Sequence, residues 1–541
     1  MFRVIVLLLV ASSGLCLPTQ TALAQRGRRF FDQTDYQRLG LQQAWSTQIQ
    51  LDSRRAGVDA VMLQVVGLNS YQRLQELVYR VFEVTHDGRS IRFSENDVDA
   101  NGQLIGRAEA QRLAEKQVIL LEARGFKPTL TTRDIPPTVI YVQSTSGTLH
   151  AMDAETGKTL WAVTVGNPRW PMLTPAANDD YVATINGSSL YLLDRATGEP
   201  VWNRPVGMNP TLSLAMSDAW VFVPGLNGQV EGYRLPTPED DSRVAEPWVY
   251  HSGVQVTAAP TIGSTTVSWA TDRGQMFVAD LAGPAILYRR QAGGPIHGRA
   301  MFLPPDRWVV ASTDGYVTAL DERSGAVQWE LSTGSDIYHA PITQSDFTYV
   351  VTRKNELFCI SSADGLEQWM SPGIEQLLAC GSDRIFARGT GGRLVALDKQ
   401  TGKPLGSLAA RDYRVGYSNY LTDRIYLLTT SGTMLCLREE TAHYPTLHVP
   451  LPQPKTTEAP ATTTAAPAAT EAAEPTPPAR DEEQVDVFGA DMFDNDADDA
   501  AAPAAAAPDA IEDDSDAPAE TPPAEDADET QEETDDPFDF G

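Results

Sequence analysis

Cysteine is scarce: four in 541 residues, one of them inside the first 24. Without that leader Cys359, Cys380 and Cys436 remain, an odd number scattered through strand-like stretches. No disulfide framework fits that pattern, and buried free thiols are expected. Long apolar runs are also lacking. Val4 to Val10 is too short to cross a bilayer, which takes about 20 residues, so contact with a membrane is expected to be peripheral at most. Basic residues are outnumbered, 42 Lys and Arg against 72 Asp and Glu, and nothing in the charge pattern argues for nucleic acid. Neither a nucleophile elbow nor a carboxylate pair suited to acid and base work can be defended. No catalytic residue and no cofactor are assigned.

What the chain does have is repetition. In Val139 to Gly166, two alternating runs, Val139-Ile140-Tyr141-Val142 and Leu149-His150-Ala151-Met152, flank the turn Thr145-Ser146-Gly147-Thr148 and read as a hairpin. Asp153, a Thr156-Gly157 turn and Trp161 then begin a third strand. Asp153 can bond the backbone of the turn, Gly157 can supply positive φ, and Trp161 can plug an indole between neighbouring sheets. The hairpin glycine returns as Gly187, Gly228, Gly274, Gly315, Gly392 and Gly432, with Asn355 in the remaining slot, at steps of 40, 41, 46, 41, 40, 37 and 40 residues.

The second half of the pattern is complete at Asp194, Thr197, Gly198 and Trp202 and at Asp321, Ser324, Gly325 and Trp329. It decays elsewhere. Ser361, Asp364, Gly365 and Trp369 lose the first Asp, Tyr288 replaces the Trp, and Gly406 follows Asp398, Thr401 and Gly402 where a ring is expected. A weaker strand precedes each hairpin, so each period of about 40 residues holds four short strands, the pattern of a propeller blade. The fold class expected is all-β, an eight-bladed propeller of four-stranded antiparallel blades.

The run A-x-D-x-x-T-G-x-x-x-W from Ala151 to Trp161 resembles the repeat of the pyrroloquinoline quinone type propellers, and the resemblance covers about residues 138–449. That superfamily holds quinoprotein dehydrogenases and a BamB-like, non-enzymatic branch of outer-membrane-protein assembly factors. The enzymes carry an adjacent Cys-Cys pair, a calcium shell and a catalytic Asp. No Cys-Cys dipeptide occurs here, and none of the other residues can be placed. The resemblance therefore implies a non-enzymatic scaffold that binds other envelope proteins. A quinoprotein oxidoreductase using pyrroloquinoline quinone and a polysaccharide-binding structural module are the alternatives.

Residues 1–24, with Arg3, the apolar run and Ala22-Leu23-Ala24 before Gln25, read as a signal peptide, so export to the periplasm or outer-membrane periphery is expected. Leu15 before Cys16 is a poor lipidation signal, and lipidation is left open. In residues 25–68, Leu39 to Ile49 reads as an isolated strand with Trp45 placed as Trp161 is in its blade, and the last unit, Arg424 to Glu439, has no such strand of its own. The N-terminal strand is expected to complete that blade and close the ring, with Ala60 to Val66 as the first inner strand.

Residues 69–137 interrupt the first unit. Leu74, Leu77, Val78, Val81 and Phe82, then Ala108, Leu113, Ala114, Val118 and Leu121, follow helical spacing, so two helices are expected. Asp97, Asp99 and Asn101 match the first half of a calcium loop, but the closing carboxylate, Glu109, comes one place late, and a polar turn is the simpler reading. His297 and His339 fall in consecutive inner strands and could meet at the channel, where two imidazoles without a third ligand make a weak metal site.

From residue 450 the chain is built of Pro, Ala and Thr and then turns acidic. Residues 451–541 hold 27 Asp and Glu against Lys455 and Arg480, so 25 of the 30 net negative charges lie there. Disorder is expected, interrupted by aromatic clusters at Phe488, Phe493, Phe538 and Phe540 that suit docking. The propeller is expected to be a monomer.

Overall fold

Every hairpin slot adopts the left-handed backbone that the repeat demands. Gly147, Gly187, Gly228, Gly274, Gly315, Gly392 and Gly432 have φ between 63° and 88°, and Asn355, at 60°, tolerates the same region through its short polar side chain. A computed structural model describes residues 33–452 except 52–56, 69–70, 88, 98, 100–102 and 237–245. The leader with Cys16 and the tail with Phe488, Phe493, Phe538 and Phe540 lie outside the described residues.

The described residues open with α1 (Gln33–Gln37), β1 (Leu41–Gln48) and β2 (Val58–Val65). After an insertion, β6 (Thr138–Ser144), β7 (Thr148–Asp153) and β8 (Thr159–Thr164) join β2 in the first of eight four-stranded antiparallel sheets among the described residues. Six more follow in chain order, within residues 176–205, 215–251, 256–291, 301–332, 342–372 and 374–409. The eighth takes Val415–Gly416, Ile425–Leu428 and Thr433–Glu439 from the end of the folded body and β1 from its start, with Ser46 opposite Leu435. The fold is a β-propeller.

Eight buried clusters hold these sheets, and each is shared by two of them. Ile140 and Leu63 of the first sheet meet Tyr426 and Cys436 of the eighth. Trp161 and Tyr141 of the first meet Val182 and Leu193 of the second. The pattern continues to Leu394 and Phe386 of the seventh against Leu437 and Ile425 of the eighth. The two middle strands of each sheet are largely buried on both faces, as in Thr138–Ser144 and Thr266–Thr271, while the outer strands alternate, as in Thr159–Thr164 or Val327–Ser332, because only one side meets a neighbour.

The Asp, Gly and Trp residues link successive repeats. Asp153 Oδ1 accepts from the Thr156 amide at 2.7 Å and from Thr156 Oγ1 at 2.7 Å, and Asp194, Asp321 and Asp398 do the same in their turns. Gly157, Gly198, Gly325, Gly365 and Gly402 all take positive φ. The ring against each glycine comes from the preceding sheet. A Cβ on Gly198 would lie 2.6 Å from Trp161, one on Gly325 2.7 Å from Tyr288, one on Gly365 2.7 Å from Trp329, and Trp369 covers Gly402 in the same way. The same rings donate to the carbonyl after the next repeat's first turn residue: Trp161 to Arg195 at 2.8 Å, Trp329 to Ser362 at 3.0 Å, Trp369 to Lys399 at 3.0 Å. Trp45 of β1 packs on Gly157 and donates to Ala154 at 3.0 Å, so the N-terminal strand treats the first sheet as any sheet treats its successor. Where Gly406 lacks a ring, Leu39 fills the space, and Trp202 Nε1 has no acceptor among the described residues.

The insertion departs from the helical reading. α2 (Tyr71–Leu77) stops after seven residues, and Val81 and Phe82 lie in β3 (Tyr79–His86). With β4 (Arg89–Ser94) and β5 (Thr129–Ile135) it forms a three-stranded sheet of order β4-β3-β5. The four middle residues of β3 are buried on both faces, so its apolar positions show no alternation and can be taken for a helical stripe. The second helix, α3 (Gly106–Ala123), is present, with Ala110, Ala114 and Leu121 against Phe82 and Val84.

Candidate functional site

Two cavities open where the connections between first and second strands gather. One, of 630 Å³, is bounded by Ile262, Phe302, Pro304, Gln344 and Phe347 and by Leu447, His448 and Val449. The other, of 560 Å³, shares Thr261, Ile262 and Tyr420 with it and is bounded by Asn178, Asp179, Ser217, Gly263, Arg299 and Tyr417. Arg299 lies 5.3 Å from the centre of the Tyr420 ring, which with Tyr417 holds its guanidinium above the usual range. The insertion leaves the first sheet at the corresponding connection, between β2 and β6, and so shares this face.

The segment after Glu439 crosses the same face. Tyr444 donates to Glu83 Oε2 at 3.2 Å, and its ring carries the guanidinium groups of Arg92 at 4.4 Å and Arg133 at 5.2 Å, which ties it to all three strands of the insertion. Thr446 donates from its amide to Asp423 Oδ1 at 3.0 Å, and the His448 ring meets the Cys380 carbonyl at 2.9 Å. Burial pushes His448 down to about 4, so its ring is neutral near pH 7.

Beneath this segment lies a buried ion triad. Arg424, wholly inaccessible, donates through Nη2 to Glu155 Oε2 at 2.9 Å and through Nη1 to Asp423 Oδ1 at 3.1 Å and the Ala442 carbonyl at 3.2 Å. Glu155 belongs to the turn of the first sheet and Arg424 to the eighth, so the triad bridges the first and last repeats. Burial raises the Asp423 carboxyl to about 6, against the pull of Arg424. Its unfolded value is near 4, so between about 4 and 6 the folded chain holds a proton the unfolded chain releases. The stability this residue contributes is full below the unfolded value and is lost as pH rises through about 6. Urea midpoints of the wild type minus those of Asp423→Asn should therefore fall from pH 4.5 to pH 7, and a difference that rises would contradict the assignment.

The residues singled out in the sequence fare differently. Asp97 accepts from the Ser94 amide at 2.7 Å and Asp99 from the Gln103 amide at 2.9 Å, both turn contacts, while Asn101 lies outside the described residues. Glu109 turns to Arg112, 2.7 Å from its Nε, which holds the carboxyl below the usual range. His297 and His339 lie in exposed connections rather than in strands, because the inner strands begin later, at Met301 and Ile342. His297 stacks on Tyr338 at 5.2 Å. Among the described residues no three His, Cys, Asp or Glu side chains gather as a metal site, and no helix is long and apolar enough to cross a membrane. The Arg424 triad and the Tyr444 contact were not anticipated, since their partners lie hundreds of residues apart in sequence.

Cys359, Cys380 and Cys436 are free and buried. Burial pushes the first two thiols up to about 12 and the third well above its ordinary range. A thiol reagent at pH 8 should leave all three unmodified in the folded chain and modify all three in denaturant.

A family model described as outer membrane protein assembly factor BamB matches residues 96–301 and 292–438, more than half of the chain. The outer membrane protein assembly factor BamB of Burkholderia pseudomallei (strain K96243) is 26% identical over 281 residues, 48% of this chain and 71% of that protein. Among solved structures, BamB from Moraxella catarrhalis aligns with a TM-score of 0.47 at 18% identity, covering 57% of this chain and 93% of that one. The computationally designed Ika8 protein aligns at 0.43 and 15%, covering 55% and 92%. By its repeats and by the extent of the family match, the chain belongs to the family of the outer membrane protein assembly factor BamB.

Proposed function

We propose that this chain is an exported, eight-bladed, closed propeller that acts as a non-enzymatic scaffold, binding other envelope proteins while outer-membrane proteins are assembled. The observation that carries the reading is the family match across residues 96–438. Ring closure is supported by the eight shared cores, by β1 pairing beside Thr433–Glu439 and by the Arg424 to Glu155 bridge. The propeller's sheets keep only short outer edges, and the loops and cavities of one face, with the insertion beside them, are the surface offered to partners. The tail from residue 451, with Phe488, Phe493, Phe538 and Phe540, is a second contact that extends the scaffold's reach. The propeller is a monomer, and residues 1–24 direct its export.

Crosslinking in intact cells, with and without residues 451–541, tests this. Both forms should capture subunits of the outer-membrane assembly machinery, the shortened form less efficiently. Capture of wall glycan alone would defeat the reading.

A further inference from the structure

Each propeller sheet ends in a short outer strand, and the insertion adds a further sheet with an edge of its own. β5 lies at the edge of the β4-β3-β5 sheet, and its first six residues are exposed. The amide of Glu95 donates to the Arg80 carbonyl at 3.1 Å on the β4 side, which fixes the alternation along β3. Val81, Glu83 and Thr85 therefore turn their backbone groups toward Arg133, Thr131 and Thr129 of β5. The backbone groups of Leu130, Thr132 and Asp134 point away from the sheet and have no backbone partner among the described residues.

Edges of this length are normally guarded by a bulge, a proline or charged side chains. β5 carries the charged Arg133 and Asp134, and Lys127-Pro128 precede it, but no proline or bulge interrupts it: its register with β3 runs from Thr129 to Ile135 without a shift. The two sides of the edge differ in character. On one, Leu130 is 39% exposed, as is Phe126 just before the strand. On the other stands Arg133. Arg92, which shares the Tyr444 ring with it, has Glu83 at 3.6 Å, and Asp134 is bonded to Arg80 at 2.7 Å, whereas Arg133 has no carboxylate within ion-pair distance among the described residues.

From this juxtaposition we infer that β5 receives an extended segment of a partner protein as a fourth strand, one that alternates apolar residues with acidic ones. The added strand bonds the outward amides and carbonyls of Leu130, Thr132 and Asp134. Arg133 is hydrogen-bonded toward β3, so it falls in the closer, non-bonded register of the new pair, where an opposite carboxylate approaches it best. Apolar residues of the same segment reach Leu130 and Phe126. The inference rests on the scaffold reading above and names a surface for it.

The test uses the full chain and two synthetic heptapeptides, Val-Glu-Val-Thr-Val-Glu-Val and its counterpart with both Glu replaced by Lys. Amide hydrogen exchange at Leu130, Thr132 and Asp134 should slow about tenfold or more with the Glu peptide, while Thr129, Thr131 and Arg133, already bonded to β3, change little. Thr132→Pro removes an outward N–H and leaves the β3 ladder intact, so it should abolish the protection without unfolding the sheet. Arg133→Glu should reverse the preference to the Lys peptide. Equal binding by the wild type and Thr132→Pro overturns the inference. So do outward amides already protected without peptide, whether by a second copy or by another part of the chain. In cells, undiminished capture of assembly subunits by Thr132→Pro overturns the β5 site and leaves the scaffold standing, whereas no capture by the unaltered chain removes the scaffold reading itself.

Discussion

Replacing Arg424 with Met should lower the stability of the folded chain by about 3–5 kcal/mol, the cost of leaving buried carboxylates without their cation. Asp423 is almost wholly buried and Glu155 largely so, and neither has another cation within ion-pair distance among the described residues. Removing all the charges together, as Arg424→Met with Asp423→Asn and Glu155→Gln, should recover much of the loss, because no unpaired charge is then left in the interior. Urea denaturation of the single and triple variants decides the matter. A single variant within about 1 kcal/mol of wild type, the range of exposed ion pairs, would mean that the first and last repeats are joined by packing and β1 pairing alone.

The second large effect concerns the rings between repeats. Trp329→Ala should cost about 3–5 kcal/mol, the range for removing a buried aromatic side chain. It empties the space over Gly365 and removes one of the two donors to the Ser362 carbonyl, leaving Arg307 Nη1 at 3.1 Å. Gly365→Ala in the intact chain suffers twice, from a backbone at φ 75° and from a methyl group aimed 2.7 Å from the indole. Backbone strain alone is worth about 1–2 kcal/mol. With Trp329 already gone, only that strain remains, so the two changes should sum to less than their separate costs. Strict additivity in a double-mutant cycle would show that indole and glycine do not touch, and that the repeats are coupled by other contacts.

The pairing behind this second prediction shows where sequence reasoning stopped. The Asp, Gly and Trp of one repeat stand close together in the chain, and the pattern places the Trp between neighbouring sheets without saying which residue it covers there. Only Asp and the turn work locally, as Asp153 does with Thr156. Trp161 reaches forward to Gly198 and Arg195, and Trp45, isolated near the N-terminus, reaches the first repeat in the same manner. The spacing that makes Trp45 resemble Trp161 was visible in the sequence, but the direction in which a ring leans across a sheet interface was not. β3 shows the opposite failure: buried on both faces, its Val81 and Phe82 carried no period by which strand could be told from helix.

The sequence by itself determined the repeat, its eight hairpin turns and the residue classes that fill them, because turn backbones and strand alternation are set by interactions within a few residues. Asn355 at positive φ belongs to that local grammar. Tertiary structure alone decided that Arg424 would meet Glu155 across 269 positions, that Tyr444 would lie under Arg92 and Arg133, and that β5 would keep an open edge. Those contacts form only when the chain returns to its starting point, and no pattern of neighbouring residues records which distant side chain will be waiting there.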